Sequence, residues 1–405
     1  MKDAIKIGMI GTGNICRHAH LPAYVKIGDA LVTGFYDIDQ SASEAAREVY
    51  LKLMKEAGRE CDAAGVNVYG SAEELLEHVD AVDICTTVRW HAYYADLALK
   101  KGVSVMSEKP AARTFIEAEQ VARTAAGTSA IYQLNDDNLY IPRYQVLRNI
   151  VESGILGEVQ SVRIARGSYS VPATRSDWFY DPVESGGGCI MDYGSHAVCS
   201  TWFILGYDKV PEEVKAIKIS ANDRTAYRNG HYTTLEVDDN ALFKVRFRNP
   251  ANGDWADAFI EATWTWPRLA SDSSDVRGYV EITGSEGMAT GYFDEQDNEF
   301  IKVRNPVFGE KLIPVQSVGS EEYSFIGEIN NFVHCVREGR PSILNAGVSA
   351  GIIKILNCAQ LSELKGRVSV PVAEIESFSG GFGSGDIWTV GDRVALALNA
   401  PHKLK

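Results

Sequence analysis

A chain of 405 residues is long enough for two domains, each with its own buried core. Hydrophobic residues at 45% and charged residues at 23% are ordinary for a globular protein, and the absence of any apolar run near the length of about 18 residues needed to span a bilayer excludes a membrane protein. The surplus of 54 acidic over 40 basic side chains, a net charge of −14, argues against nucleic acid or anionic lipid as a partner.

The opening residues run from Ile5 to Ile10 as a short apolar strand, turn through Gly11-Thr12-Gly13, and pass into a helix between Ile15 and Val25. A second strand, Ala30 to Tyr36, stops at Asp37 and is followed by a helix, Gln40 to Ala57, rich in Ala, Glu and Lys. A third strand fits Val66 to Tyr69. Ser71 and Glu74 form a capping box for the helix Ala72 to His78, and Ala81 to Cys85 is the next strand. Helix Ala92 to Lys101, strand Val103 to Met106, helix Phe115 to Ala125 and strand Ala130 to Leu134 complete the alternation. Strands and helices in that order predict a doubly wound parallel sheet over residues 1–135.

Beyond Asn135 one helix (Arg143 to Ser153) is followed by period-two stretches: Glu158 to Ser168, Lys215 to Ser220, Ala241 to Arg248, Phe259 to Trp266 and Arg277 to Thr283. Such alternation predicts an α+β domain, residues 136–370, with a large, mostly antiparallel open sheet. Helices are expected at Gly194 to Leu205, Tyr323 to Glu338 and Ala346 to Leu364. Residues 371–405 form an extension whose run Ser379 to Gly385 has the composition of a flexible link.

Seven cysteines (Cys16, Cys61, Cys85, Cys189, Cys199, Cys335, Cys358) stand singly, which points to neither a disulfide framework nor a metal centre. Met1 to Ile7 lacks the basic start and apolar core of a signal peptide, so cytoplasmic location is the default.

Gly11 and Gly13 hold the first two positions of a dinucleotide fingerprint, with the small residue Cys16 where a third Gly or Ala usually sits. Backbone N–H groups and a helix N-terminus there suit a pyrophosphate, and the place after the first strand favours this over an ordinary tight turn. Asp37, at the end of the second strand, can accept the adenosine ribose hydroxyls and repel a 2′-phosphate, which favours NAD over NADP; a turn or capping aspartate is the lesser alternative. Glu108-Lys109-Pro110 closes the fifth strand, where open α/β sheets bind ligands. A lysine there can hold a substrate oxygen, and a cis bond at Pro110 would fix its aim, although on spacing alone a solvated loop lysine is the better reading. In Gly186-Gly187-Gly188-Cys189-Ile190-Met191-Asp192-Tyr193-Gly194-Ser195-His196, a helix from about Ile190 puts Asp192 and His196 at i and i+4. A carboxylate beside an imidazole suits it to move a proton near neutral pH; a buried, satisfied histidine is an even alternative. His18-Ala19-His20 is not a chelate, because i and i+2 do not share a helix face, and the aromatics Trp178, Phe179, Tyr180, Trp264 and Trp266 read as packing.

The chain resembles the Gfo/Idh/MocA oxidoreductases over residues 4 to 371. The likeness rests on Gly11-Thr12-Gly13 with His20-Leu21-Pro22-Ala23, Ala81 to Thr86 with His91-Ala92, and Glu108-Lys109-Pro110; it continues through Ser153 to Glu158, Gly186 to His196 and Thr283 to Gly287. The resemblance implies an NAD-binding Rossmann domain and hydride transfer between a secondary hydroxyl of a neutral sugar, glycoside or cyclitol and nicotinamide. It implies Lys109, Asp192 and His196 as catalytic residues; Gly11, Gly13, Asn14, Ile15, Asp37, Thr86, His91, Glu108 and Lys109 toward the cofactor; and Asn135 and Asp136 toward substrate. It further implies a homodimer or homotetramer formed through the open sheet face. Two alternatives stand beside it: an NAD-dependent glycosidase or lyase using transient C3 oxidation, and a non-catalytic dinucleotide-binding regulator. Departures are Thr87-Val88 where Pro-Asn is common, a longer segment Arg47 to Val66, and Asn135-Asp136-Asp137-Asn138 in place of a stretch that often carries Arg, which argues against anionic substrates.

Overall fold

The computed structural model describes residues 4–59, 63–168, 176–222, 225–228, 231–265, 279–296, 298–316 and 322–402; Cys61, Trp266 and Arg277, named above, lie outside them. The chain forms two compact units, Met1–Ala112 with Glu117–Tyr140 and Gly319–Ala350, and Arg113–Ile116 with Ile141–Val318 and Gly351–Lys405.

In the first unit the elements are β1 (Ile5–Ile10), a π-helical turn (Cys16–His20) running into α1 (Leu21–Lys26), β2 (Ala30–Tyr36), α2 (Gln40–Glu56), β3 (Asn67–Val68), α3 (Ala72–Leu75), β4 (Ala81–Ile84), α4 (Val88–Lys100), β5 (Ser104–Glu108), α5 (Phe115–Ala126) and β6 (Tyr132–Asn135). The six strands are all parallel in the order β3-β2-β1-β4-β5-β6. That is the doubly wound arrangement, and its order reverses between β1 and β4, which opens a crevice at their carboxyl ends. Ile7, Met9, Val32, Val82, Ile84, Val105 and Met106 are buried, as expected of parallel strands covered on both faces. The capping box is asymmetric: Ser71 Oγ accepts the Glu74 N–H at 3.1 Å, but the Glu74 carboxylate accepts from Gly70 at 3.0 Å, and the helix stops at Leu75.

The second unit carries α6 (Pro142–Glu152), β7 (Val159–Gly167), α7 (Pro182–Ser185), α8 (Cys189–Leu205), β8 (Val210–Ser220), the hairpin β9 (Thr225–Arg228) and β10 (His231–Thr234), β11 (Asn240–Arg248), β12 (Trp255–Thr263), β13 (Tyr279–Gly284), β14 (Met288–Phe293), β15 (Glu299–Asn305) and β16 (Gly309–Pro314). After α9 (Glu322–Glu338), whose Ile329, Phe332 and Val333 join the core of the first unit, come α10 (Ala346–Leu364), β17 (Val370–Pro371), α11 (Glu374–Gly380) and α12 (Ile387–Leu398). The large sheet runs β16-β15-β14-β13-β7-β12-β11-β8-β17, antiparallel except for the β7–β12 pair. Its inner face (Val162, Ile164, Phe243, Val245, Phe247, Ala258, Ile260, Val280, Ile282) is buried, and α8 packs against β7, β11 and β12.

Helix α8, expected from Gly194 or, on the Asp192–His196 spacing, from about Ile190, begins at Cys189, because the Asp238 carboxylate caps it from a distant segment, accepting the Gly188 and Ile190 N–H groups at 2.8 Å each. In the glycine run Ser379 and Gly380 end α11 and residues 381–385 form a mostly exposed turn; α12 follows, capped by Asp386 on the Thr389 N–H at 3.1 Å.

Candidate active site

In the first unit the glycine turn is built under two different constraints. Gly11 has φ +83°, and a Cβ there would meet Thr86 N at 2.6 Å, so both its backbone and its close approach to the end of β4 require glycine. A Cβ on Gly13 would meet nothing within 4 Å. Packing does not explain that glycine; open space above a helix start does, where backbone N–H groups meet an anionic ligand. Cys16, fully buried, fills the third small position, with Asn14 exposed and Ile15 half-buried before it.

Asp37 follows β2. Its Oδ2 accepts the Thr12 N–H at 2.7 Å and the Thr12 hydroxyl at 3.2 Å, and its Oδ1 accepts the Asp39 N–H at 3.0 Å. The geometry is that of a turn aspartate; Oδ2 spends both lone pairs on Thr12, and Oδ1 keeps one acceptor position beyond the Asp39 N–H. At the end of β4, His91 of α4 bridges two loops: Nδ1 is 2.8 Å from the Pro110 carbonyl and Nε2 is 3.0 Å from the Thr86 carbonyl. Burial lowers its pKa against the pull of those carbonyls, so a neutral ring donates to one of them.

Glu108 ends β5 and works through both oxygens. Oε2 accepts the Lys109 N–H at 3.1 Å, and Oε1 lies 3.0 Å from Nε2 of His20. The Lys109–Pro110 bond is cis. Asn135 pairs in register with Glu108 across β5 and β6; its side chain is buried, and neither amide atom has a hydrogen-bond partner among the described residues. Asp136 Oδ1 accepts from Asn138 Nδ2 at 3.1 Å, and Asp137 accepts the Ser324 hydroxyl at 2.9 Å. The first unit thus gathers Gly11, Gly13, Asp37, Thr86, Glu108, Lys109, Asn135 and Asp136 at the carboxyl ends of its parallel strands.

In the second unit Asp192 lies in the first turn of α8 and His196, partly buried, one turn on. Asp192 Oδ2 accepts the indole N–H of Trp264 at 3.0 Å. Trp264 is fully buried, stacked on the half-buried Phe179 at 5.3 Å and edge-on to the buried Tyr180 at 6.1 Å, so Trp264 and Tyr180 pack the interior and Trp264 also supplies a donor to Asp192. Sequence reasoning missed Trp264 in this role, the Asp238 cap, and the burial of His20 against Glu108, all of which are long-range pairings.

A family model described as an oxidoreductase family with NAD-binding Rossmann fold matches residues 5–136, and the GFO/IDH/MocA C-terminal domain model matches residues 144–290. The chain is 26% identical over 222 residues to glucose-6-phosphate 3-dehydrogenase of Bacillus subtilis, covering 54% of this chain and 59% of that protein, less than two thirds of its length. It is 24% identical over 376 residues to myo-inositol 2-dehydrogenase of Thermotoga maritima, covering 92% and 99%. Among solved structures, levoglucosan dehydrogenase in complex with NADH and L-sorbose superposes with a TM-score of 0.72 at 19% identity, covering 91% of this chain and 99% of that one.

Proposed function

The chain belongs to the Gfo/Idh/MocA oxidoreductase family, and from that premise we propose that it oxidises a secondary hydroxyl of a neutral sugar, glycoside or cyclitol with NAD. The observation that carries the reading is the gathering of the glycine turn, Asp37, Glu108-Lys109 and the Asn135 amide, unpartnered among the described residues, at the carboxyl ends of the parallel strands. These residues fit the cofactor: Gly11, Gly13, Asn14 and Ile15 would hold the pyrophosphate, Asp37 the ribose, and Thr86, His91 and Glu108 the loops beside it. NAD, when bound, supplies the hydride acceptor.

His196 takes the hydroxyl proton, Lys109 stabilises the developing alkoxide, and Asp192 orients His196 or a neighbouring hydroxyl. Asn135 and Asp136 face the substrate. The two relatives are named for oxidations at ring carbons, one of them on a phosphorylated sugar; the acidic run Asp136-Asp137 favours an uncharged substrate here. The outer face of the large sheet presents Ile217, Trp255 and Tyr279, each more than 40% exposed, which supports a homo-oligomer through that face. Among the described residues no helix is long and apolar enough to cross a membrane, and the buried thiols Cys16, Cys85, Cys189, Cys199, Cys335 and Cys358 support a reducing, cytoplasmic setting.

The test is incubation of the protein with NAD and a panel of neutral sugars, glycosides and inositols, read by reduced-nicotinamide absorbance. His196→Asn is expected to cut turnover by about 10² to 10⁴ with NAD affinity unchanged. Undiminished turnover in that variant overturns the assignment, and product formed without net absorbance assigns the site to transient oxidation instead.

A further inference from the structure

His20 opens the His20-Leu21-Pro22-Ala23 stretch but has no part in the proposed chemistry, yet its side chain is fully buried beneath the carboxyl ends of β4 and β5. Nδ1 lies 2.7 Å from Asp83 Oδ2 and Nε2 lies 3.0 Å from Glu108 Oε1. Each carboxylate accepts, so each ring nitrogen donates and the ring is an imidazolium. Burial opposes that charge, but Asp83 and then Glu108 outweigh it and raise the His20 pKa well above its ordinary value. Burial likewise works against the Glu108 carboxylate, and His20 and Lys109 overcome it, holding Glu108 below the usual carboxylate range. The remaining neighbours are Phe325, with ring centroids 5.7 Å apart, the Cys85 thiol 3.7 Å from Nδ1, and Glu328, whose carboxyl lies within 4.8 Å of the His20 and Glu108 atoms.

We propose that His20 is a positioning residue for Lys109. It anchors one oxygen of Glu108 against Asp83, and the other oxygen of Glu108 then holds the Lys109 N–H, 3.1 Å away, fixing the backbone from which the lysine side chain leaves β5. The charge pattern requires such a keystone. Asp83 and Glu108 meet the buried ring from its two nitrogens, and without the imidazolium these two carboxylates repel each other with no cation between them. Glu108 would turn away and release the Lys109 backbone. The same side chains have the makings of a metal site, but an imidazolium has no lone pair to offer, so the geometry favours the ion-pair chain. The inference rests on the function proposed above for the chemistry of Lys109; the anchoring itself does not.

Two variants test it: His20→Gln, which keeps one side-chain N–H, and His20→Ala. Both are compared with wild type by hydrogen exchange of the peptide covering residues 104–112, by NAD titration, and by kinetics on whichever substrate the panel yields. Exchange in that peptide is expected to rise by about tenfold or more in His20→Ala and by less in His20→Gln, with other segments unchanged. Turnover is expected to fall by about tenfold in His20→Ala, partly restored in His20→Gln, with KM and NAD affinity within about twofold. Unchanged exchange in both variants overturns the proposal, as does a stoichiometric divalent metal in the purified wild-type protein. If His20→Ala does not fold, His20→Gln decides. If wild type oxidises nothing in the panel, the dehydrogenase reading fails while the exchange measurement still judges His20.

Discussion

Trp264 Nε1 donates to Asp192 Oδ2 across 3.0 Å, so the carboxylate assigned to orient His196 is itself aimed by a side chain 72 residues further along. Trp264→Phe keeps an aromatic ring against Phe179 and deletes only the donor and one ring. Asp192 is 9% exposed, and a hydrogen bond to a charged group is worth about 1.5–3 kcal/mol. Turnover is expected to drop by about tenfold with NAD affinity unchanged, measured by steady-state kinetics and cofactor titration. Equal losses in both would mean that the indole only packs.

Gly11 and Gly13 separate folding from ligand approach. Gly11→Ala adds a Cβ 2.6 Å from Thr86 N at a φ of +83°, so it is expected to lower the melting temperature. Gly13→Ala adds a Cβ that meets no protein atom within 4 Å, so thermal stability is expected to stay near wild type. Its cost falls on NAD binding, expected to weaken by about tenfold or more because the methyl stands where the pyrophosphate approaches the backbone. Differential scanning calorimetry paired with NAD titration reads both variants. A Gly13→Ala protein that binds NAD as well as wild type would remove the glycine turn from the cofactor site.

What the sequence made legible was local. Ile5–Ile10 and Ala30–Tyr36 are apolar runs closed by a glycine turn and by Asp37, and their observed bounds coincide with the expected ones. Gly11, Gly13 and Glu108-Lys109-Pro110 announce themselves because their chemistry needs adjacent residues. The supports behind them do not. Asp238 caps α8 from 48 to 50 positions away, and His20 reaches Asp83 and Glu108 across 63 and 88. Such pairs leave no period and no motif. The extension after Pro371 is tied down by another pair of this kind: Arg113, 1% exposed, pairs with Asp392 of α12 at 2.6 Å, a contact 279 residues apart. Asp386, which opens α12 by accepting the Thr389 N–H, had no place in the sequence reading.

Glu328 gives stability a pH dependence of known sign. The side chain is fully buried, and neither carboxyl oxygen has a hydrogen-bond partner among the described residues. Burial first, then the charges of Asp137 and Glu108, push its pKa well above the ordinary value, so it is held as the neutral acid. In the unfolded chain the same group ionises near pH 4.3, roughly the model-peptide value. Below that pH both states bind the proton and Glu328 brings no penalty. Above it the folded state holds a proton that the unfolded state has released, and stability falls by about 1.4 kcal/mol per pH unit until the folded pKa is passed. Glu328→Gln keeps the shape and cannot ionise, so the variant is expected to gain on wild type as pH rises above about 4.3, the gap widening at about that slope until the folded pKa is passed. Urea midpoints at several pH values measure it. A gap that stays constant across that range would show that Glu328 is already ionised in the folded protein.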